Sequence, residues 1–173
     1  MKKYLAENKL GEIPDKLFPD NDFEHDKSVP GSNNKRMRPD YRSDSMMLIL
    51  EFDGDPHYRS ARKIKADIKK DEDYTDLGYR VYRVPFFVQM TSHVLEEIFH
   101  RKIRFKQEYP NGFIASNVIL PADFCELGIK RFISDLERFS FHKLEIIESL
   151  HNKIKKLGDR EMVIPSSLES LFR

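Results

Sequence analysis

The pattern of apolar and polar positions predicts three strands in the first half of the chain. Each is a short run of strand length, either largely apolar or alternating with a period of two. They cover residues 37–42, 46–52 and 79–84. The turn Ser43-Asp44-Ser45 joins the first two into a hairpin, and Asp53-Gly54-Asp55-Pro56 ends the second. Residues 20–34 contain Asp, Asn, Ser, Pro and Gly in close succession and predict a loop.

Helical spacing of apolar residues predicts most of the remaining elements. The predicted helices cover residues 59–77, 92–99, 121–139 and 141–157, with a shorter one within 2–17. Gly78 and Gly158 are suitable C-caps, and Thr91 or Ser92 is a suitable N-cap. Pro14 should mark the start or the end of the N-terminal helix. The apolar sides of the 59–77 and 92–99 helices comprise Ala61, Ile64, Ile68 and Tyr74, and Val94, Leu95, Ile98 and Phe99, respectively.

The order helix, strand, strand, helix, strand, helix indicates an α/β fold with a mixed sheet flanked by helices. The C-terminal third differs, because it contains two amphipathic helical segments and no clear strand. We therefore expect a core over residues 1–110 and a helical extension over 111–173. Whether the two parts pack as one domain stays open at this level.

Composition narrows the class of protein. The chain has 173 residues, enough for a sizeable core, and 34% of them are charged. Its single cysteine, Cys125, excludes an internal disulfide and a zinc cluster built on cysteines. The N-terminus MKKYLAENKL lacks the long apolar run of a signal peptide, and no stretch has the length of a membrane span. We expect a cytoplasmic protein without a membrane partner.

Three acidic residues surround the predicted hairpin and carry the first indication of chemistry. Asp40 lies on its first strand, and Glu51 and Asp53 lie at the end of its second. Because side chains alternate along a strand, Glu51 and Asp53 share a face, and the turn brings Asp40 back toward Glu51. Hard carboxylate ligands on a rigid sheet edge suit Mg²⁺ or Mn²⁺. The alternative from spacing alone is a polar strand end facing solvent.

Basic residues are concentrated on both sides of these acids, although the net charge is only +1. They are Lys35, Arg36 and Arg38, and then Arg59, Arg62, Lys63, Lys65, Lys69 and Lys70. Basic patches around a metal site suit an enzyme that grips phosphates. The alternative is that each run is a solvated helix face.

The motif Pro39-Asp40, ten residues, then Glu51-Phe52-Asp53 resembles the PD-(D/E)XK nuclease signature. The continuation into Gly54, His57, a charged helix and the strand Gly-Tyr-Arg-Val-Tyr-Arg at 78–83 resembles the branch of very-short-patch repair endonucleases. The resemblance spans roughly residues 35–100. It implies a restriction-endonuclease-like fold, hydrolysis of DNA with Mg²⁺ or Mn²⁺, and metal ligation by Asp40, Glu51 and Asp53.

One position departs from the signature, because Asp53 stands where the superfamily usually has its lysine. The basic role is then left to Lys70, or to Lys63 or Lys65, from the following helix, and His57 is a second candidate for proton transfer. Asp67 and Lys70 are first interpreted as an ion pair on that helix. Glu12, on the N-terminal helix, is a further candidate acid.

The resulting hypothesis is a metal-dependent DNA endonuclease whose catalytic residues include Asp40, Glu51, Asp53, His57 and Lys70. Arg36, Arg38, Arg59 and Lys63 are the expected contacts to the DNA backbone. The alternative is a nucleic-acid-binding module, or a subunit, that kept the nuclease scaffold without its catalysis. A homodimer and a partner subunit both stay open.

Overall fold

The computed structural model of the protein describes residues 3–32 and 34–172, and the expectations for Met1, Lys2, Asn33 and Arg173 lie outside this part. The α-helices are α1 (Glu7–Leu17), α2 (Pro56–Arg59), α3 (Ala61–Asp76), α4 (Ser92–Phe99), α5 (Glu126–Arg138) and α6 (Lys143–Leu157). The strands are β1 (Phe23–His25), β2 (Tyr41–Ser43), β3 (Leu48–Asp53) and β4 (Arg80–Pro85). Short 3₁₀ segments lie at Gly112–Ile114, Pro121–Asp123, Ser140–His142 and Ser166–Phe172.

Two compact units divide the described residues. The sheet unit comprises 6–54 and 65–85, and the helical unit comprises 3–5, 55–64 and 86–172. The predicted boundary between residues 110 and 111 falls inside the helical unit. Within the described part of the chain, no helix combines the length and apolarity that a membrane span requires.

The sheet unit is built on one four-stranded mixed sheet in the order β1-β2-β3-β4. The predicted hairpin is confirmed, because β2 pairs antiparallel with β3 and places Tyr41 opposite Leu50. The strand predicted at 79–84 is also confirmed and pairs in parallel with β3. Leu48, Ile49 and Leu50 are fully buried, as expected for an interior strand. The α/β class with a mixed sheet is therefore correct.

The predicted strand boundaries were partly wrong. β2 begins at Tyr41, so Asp40 lies in a bend just before the strand, and the turn extends over residues 44–47. The loop expected over 20–34 contains β1, whose central residue Glu24 lies opposite Arg42. Arg42 is buried and bonds to Glu24. A three-residue strand held by such a pair has no sequence periodicity to reveal it.

The N-terminal helix continues through Pro14, contrary to the prediction that a helix should start or end there. Proline removes one intrahelical hydrogen bond, but Leu10 and Ile13 on the same helix are almost completely buried. Tyr41 packs against this helix at Gly11, where an added Cβ would lie 2.1 Å from its ring, and its hydroxyl donates to the Glu7 carbonyl at 3.0 Å. Tertiary packing thus outweighs the local cost of Pro14.

The helix predicted at 59–77 consists of α2 and α3, separated at the extended residue Ser60. Its buried side was only partly predicted. Ile64 and Tyr74 are buried, whereas Ala61 is exposed and Ile68 is 54% exposed. Asp67 is buried instead, with 2% exposure. The inner side of α3 is therefore polar over much of its length, which an apolar periodicity cannot predict.

The helical unit follows the predicted order with two shifted boundaries, one at the start of α5 and one at α6, which begins at Lys143 rather than at 141. The helix at 92–99, its Thr91 cap and its apolar side are confirmed, and so is the end of α6 at Gly158. Helix α5 begins at Glu126 rather than at 121, because Pro121–Asp123 forms a separate 3₁₀ turn. Cys125 caps α5, and its Sγ accepts a hydrogen bond from the Gly128 amide.

Candidate metal centre

Five carboxylates and two basic side chains gather in the sheet unit, and we call them the carboxylate cluster. Its members are Asp40, Glu51, Asp53, Asp67, Lys70, Asp71 and Arg83. Glu51 and Asp53 lie at the end of β3, and Arg83 lies opposite Glu51 on β4. The remaining helical members lie on α3 at spacings of three and four residues, so they share one side of the helix. Carboxylates this close to one another repel, and a bound cation would relieve that repulsion.

Glu51 is the most strongly perturbed acid of the cluster. It is 2% exposed, and its Oε1 lies 2.6 Å from the Lys70 ammonium nitrogen. This contact is an ion pair by distance, but Oε1 has no well-oriented hydrogen bond among the described residues. Burial raises the pKa of Glu51 to about 7, with Lys70 opposing and Asp40 adding to the rise. A divalent cation close to Glu51 would stabilise the charged form of its carboxylate.

Asp40 is held beside the end of β3 by the backbone. Its Oδ2 accepts a hydrogen bond from the Phe52 amide at 2.6 Å. The predicted return of Asp40 toward the end of β3 is thus found, because this hydrogen bond joins Asp40 to the residue that follows Glu51. The hairpin produces this approach even though Asp40 lies outside β2.

Asp53 is bound to an arginine. Arg83 is 7% exposed and donates to Asp53 Oδ1 at 2.8 Å, and it forms a two-pronged contact with Asp71 at 2.7 and 2.6 Å. Burial by itself would lower the pKa of Arg83, but Asp71, Asp53 and Glu51 hold it well above its usual value. Carboxylate oxygens of Asp53 and Asp67 also lie within 4.8 Å of each other.

Tyr74 completes the surroundings of Glu51. It is fully buried, and its hydroxyl has no hydrogen-bond partner among the described residues. Burial raises the pKa of Tyr74, and the negative charge of Glu51 raises it further. The Lys70 ammonium lies 5.6 Å from the centre of its ring. A buried hydroxyl without a hydrogen-bond partner is uncommon in folded proteins.

Asp40 and Glu51 are predicted ligands whose donor atoms are of the type that suits a hard divalent cation. Both offer carboxylate oxygens, and Glu51 Oε1 lacks a well-oriented donor. All three predicted ligands already have a partner: Arg83 binds Asp53, Lys70 binds Glu51, and the Phe52 amide donates to Asp40. Ligation by Asp40, Glu51 and Asp53 stays a prediction, since these three do not form a group whose ligand atoms all lie within 4.8 Å of one another among the described residues.

Sequence reasoning missed Asp71, Tyr74 and Arg83. The predicted ion pair between Asp67 and Lys70 was wrong, because Lys70 pairs with Glu51 and Asp67 lies 4.0 Å from Arg83. One signal was available in the sequence. Charged residues at 67, 70 and 71 interrupt the expected apolar side of α3, and this pattern indicates a helix that faces a polar site.

The other predicted residues occupy several places. Arg36 and Arg38 are exposed in the sheet unit, and Arg38 lies 3.5 Å from Asp26. His57 belongs to the helical unit and is half-buried on α2. Arg59 and Lys63 belong to the same unit and are exposed. Their roles stay predictions. Glu12 pairs with Lys9 and Lys16 on its own helix.

No family model matches this chain, and no curated protein or solved structure is similar enough to count as a match. The resemblance to PD-(D/E)XK nucleases consequently rests on the sequence motif alone.

Proposed function

We propose that this protein is a divalent-metal-dependent endodeoxyribonuclease with a restriction-endonuclease-like core. The observation that carries the proposal is the buried pair of Glu51 and Lys70, 2.6 Å apart beside Asp40. The motif resemblance requires two acids and a lysine around one scissile phosphate. Asp53 stands where the motif has its lysine on β3. Lys70, on α3, would take over the role of that lysine.

Each residue has a role that follows from its environment. Asp40 and Glu51 would hold Mg²⁺ or Mn²⁺, which when bound polarises a phosphate and makes a bound water more acidic. Lys70 favours the ionised form of Glu51 and orients it, and its ammonium would contact a phosphate oxygen. Arg83 fixes α3 to the sheet through Asp71 and Asp53, so that Lys70 has a defined position.

The DNA would bind through exposed basic side chains. Arg36 and Arg38 are exposed in the sheet unit, and Arg59 and Lys63 are exposed in the helical unit. Contacts of this type neutralise phosphates without reading bases, and they make binding sensitive to salt.

A second candidate function is nucleic-acid binding without catalysis. It is favoured by Asp53, which is paired with Arg83 and stands where the signature has a lysine. Lys70 and Arg83 balance part of the cluster without any ion, which suits a structural network. Salt-sensitive DNA binding that ignores divalent cations would support this function.

Cleavage of supercoiled plasmid by wild type, Glu51→Gln and Lys70→Met distinguishes the two functions. We expect nicking or linearisation with Mg²⁺ or Mn²⁺ and none with EDTA. Glu51→Gln should abolish cleavage because a metal ligand is lost. Lys70→Met should lower the rate about 10²-fold or more, the usual scale for a lost proton-transfer or charge-stabilising group.

Two neighbouring substitutions provide matched controls. Lys69→Met and Glu72→Gln change exposed residues of the same helix and remove the same charges. We expect both variants to cleave at close to the wild-type rate. A Lys69→Met variant as impaired as Lys70→Met, or cleavage that survives in Glu51→Gln, would contradict the proposed site.

A further inference from the structure

A groove lined by both apolar and polar side chains runs along one side of α6 in the helical unit. Two adjoining cavities form it, of about 360 and 170 Å³. They share Ile114, Ser149 and Asn152. The α6 residues that line it recur at spacings of three and four, so they lie on one side of the helix. The 3₁₀ turn Gly112–Ile114 forms the opposite wall, and we call this feature the α6 groove.

The α6 groove contains two buried polar residues, Asn111 and Ser149. Asn111 lines the larger cavity and is 1% exposed. The Ser149 hydroxyl donates to the Ile146 carbonyl at 2.8 Å, and its oxygen lies 3.2 Å from the Asn111 side-chain amide. A buried amide that lines a cavity can form hydrogen bonds with a polar ligand.

The two ends of the α6 groove carry opposite charges. Glu148 lines the larger cavity, whereas Lys153 and Lys156 line the smaller one. Lys153 is buried and donates to the Ala115 carbonyl, which leaves further ammonium protons for a ligand. Burial lowers the pKa of Lys153, and the positive charge of Lys156 lowers it further. Two lysines one turn apart repel each other, so a bound anion would stabilise this end.

We propose that the α6 groove binds a nucleotide, with its phosphate at Lys153 and Lys156 and its base toward Glu148 and Asn111. Glu148 and the two lysines are separated by about 8 and 12 Å along the helix, a span suited to one nucleotide. A carboxylate and an amide recognise the exocyclic amino group and ring acceptors of a base. Exposed Ile114 offers an apolar surface to the base or sugar. This site goes beyond the proposed cleavage and does not depend on it.

Titration of the full chain with dCMP in EDTA, followed by amide NMR shifts, tests the α6 groove. We expect shifts at Asn111 and along α6, with deoxycytidine and inorganic phosphate each at least about tenfold weaker than dCMP. dTMP should also bind more weakly, because thymine lacks the amino group that Glu148 accepts. A trinucleotide of dC that binds more tightly than dCMP assigns the groove to a DNA strand, and equal affinity assigns it to free nucleotides.

Exposed α6 residues provide the variants. Lys156→Gln should weaken dCMP binding about tenfold, whereas Lys155→Gln removes an exposed neighbouring charge outside the groove and should change it less than about twofold. Glu148→Gln should reduce the preference for dCMP over dTMP. Glu51→Gln should bind dCMP like wild type, so failure of cleavage and failure of this site are distinguishable.

The nucleotide site would be overturned if dCMP did not bind, or if inorganic phosphate or dTMP bound as tightly as dCMP. Equal losses of affinity in Lys155→Gln and Lys156→Gln would also contradict it. Tighter binding of a zwitterionic dipeptide such as Gly-Gly would assign the groove to a different ligand.

Discussion

At the scale of single residues, Glu51 shows how burial and charge act against each other. Its carboxylate is nearly inaccessible to water, which favours the neutral form, while Lys70 at 2.6 Å favours the charged form. Burial is the larger effect, and the pKa of Glu51 rises to about 7. A perturbed acid with specific charged neighbours is typical of functional sites, although structural ion pairs also produce it.

The raised pKa of Glu51 predicts how stability depends on pH without metal. Between the ordinary glutamate pKa of 4.5 and about 7, the folded chain keeps a proton that the unfolded chain has lost. Stability should therefore fall as pH rises through this window, by up to about 3 kcal/mol, and level off above it. Urea unfolding in EDTA at pH 5, 6, 7 and 8 measures this.

Glu51→Gln is the control for that slope, since glutamine does not titrate. The variant should lose the contribution of Glu51 to the slope between pH 5 and 7, whereas Glu72→Gln should keep the wild-type profile. Identical profiles for wild type and Glu51→Gln would show that Glu51 does not carry the shift.

At the scale of elements, close backbone contacts determine which helices lie where. Helix α5 approaches α2 at Gly128, where an added Cβ would lie 1.8 Å from the Tyr58 carbonyl oxygen. Tyr58 also donates to the buried Asp135 at 2.6 Å and stacks on Phe124. The glycine in α5 is thus required by packing against α2, not by the conformation of its own helix.

Gly128→Ala should destabilise the protein by about 1–3 kcal/mol, because α5 must move away from a backbone atom that cannot yield. Thermal or urea unfolding measures the change. Gly158→Ala is a suitable comparison, because no atom lies within 4 Å of its added Cβ and only the positive φ of 73° opposes it. A smaller loss, of roughly 1 kcal/mol, is expected there. Equal losses would argue against the close α2–α5 contact.

At the scale of the whole molecule, the carboxylate cluster should couple cation binding to stability. The folded chain presents Asp40 and Glu51 together, whereas the unfolded chain separates them by ten intervening residues. A cation that binds the folded state alone stabilises it by mass action. The helical unit places its own predicted site, the α6 groove, on elements that contain none of these acids.

Addition of Mg²⁺ at about ten times its dissociation constant should raise the free energy of unfolding by about 1.4 kcal/mol, and the thermal midpoint by a few degrees. Calorimetry with and without Mg²⁺ measures this. Glu51→Gln should abolish the effect, and Glu72→Gln should retain it. A midpoint that is unchanged by Mg²⁺ and Mn²⁺ would favour the structural network over a metal site.

The sequence by itself determined the parts of this protein that depend on local chemistry. The apolar run before Glu51 predicts a strand, and the turn residues after Asp53 predict its end. The glycine after α3 predicts the helix C-cap. Each of these features depends on neighbouring residues only. The approach of Asp40 to Glu51 was likewise predictable, since a hairpin with a short turn places the two together. The restriction-endonuclease-like fold is proposed from the sequence motif alone.

Tertiary structure decided the rest, because long-range contacts outweigh local preference. Lys70 pairs with Glu51, and Arg83 forms an ion pair with Asp53. Both contacts, and the polar side of α3, join residues far apart in sequence. The continuation of α1 through Pro14 and the strand β1 depend on packing and pairing partners supplied by β2 and β3. Such contacts arise only when distant segments meet, and no local pattern encodes them.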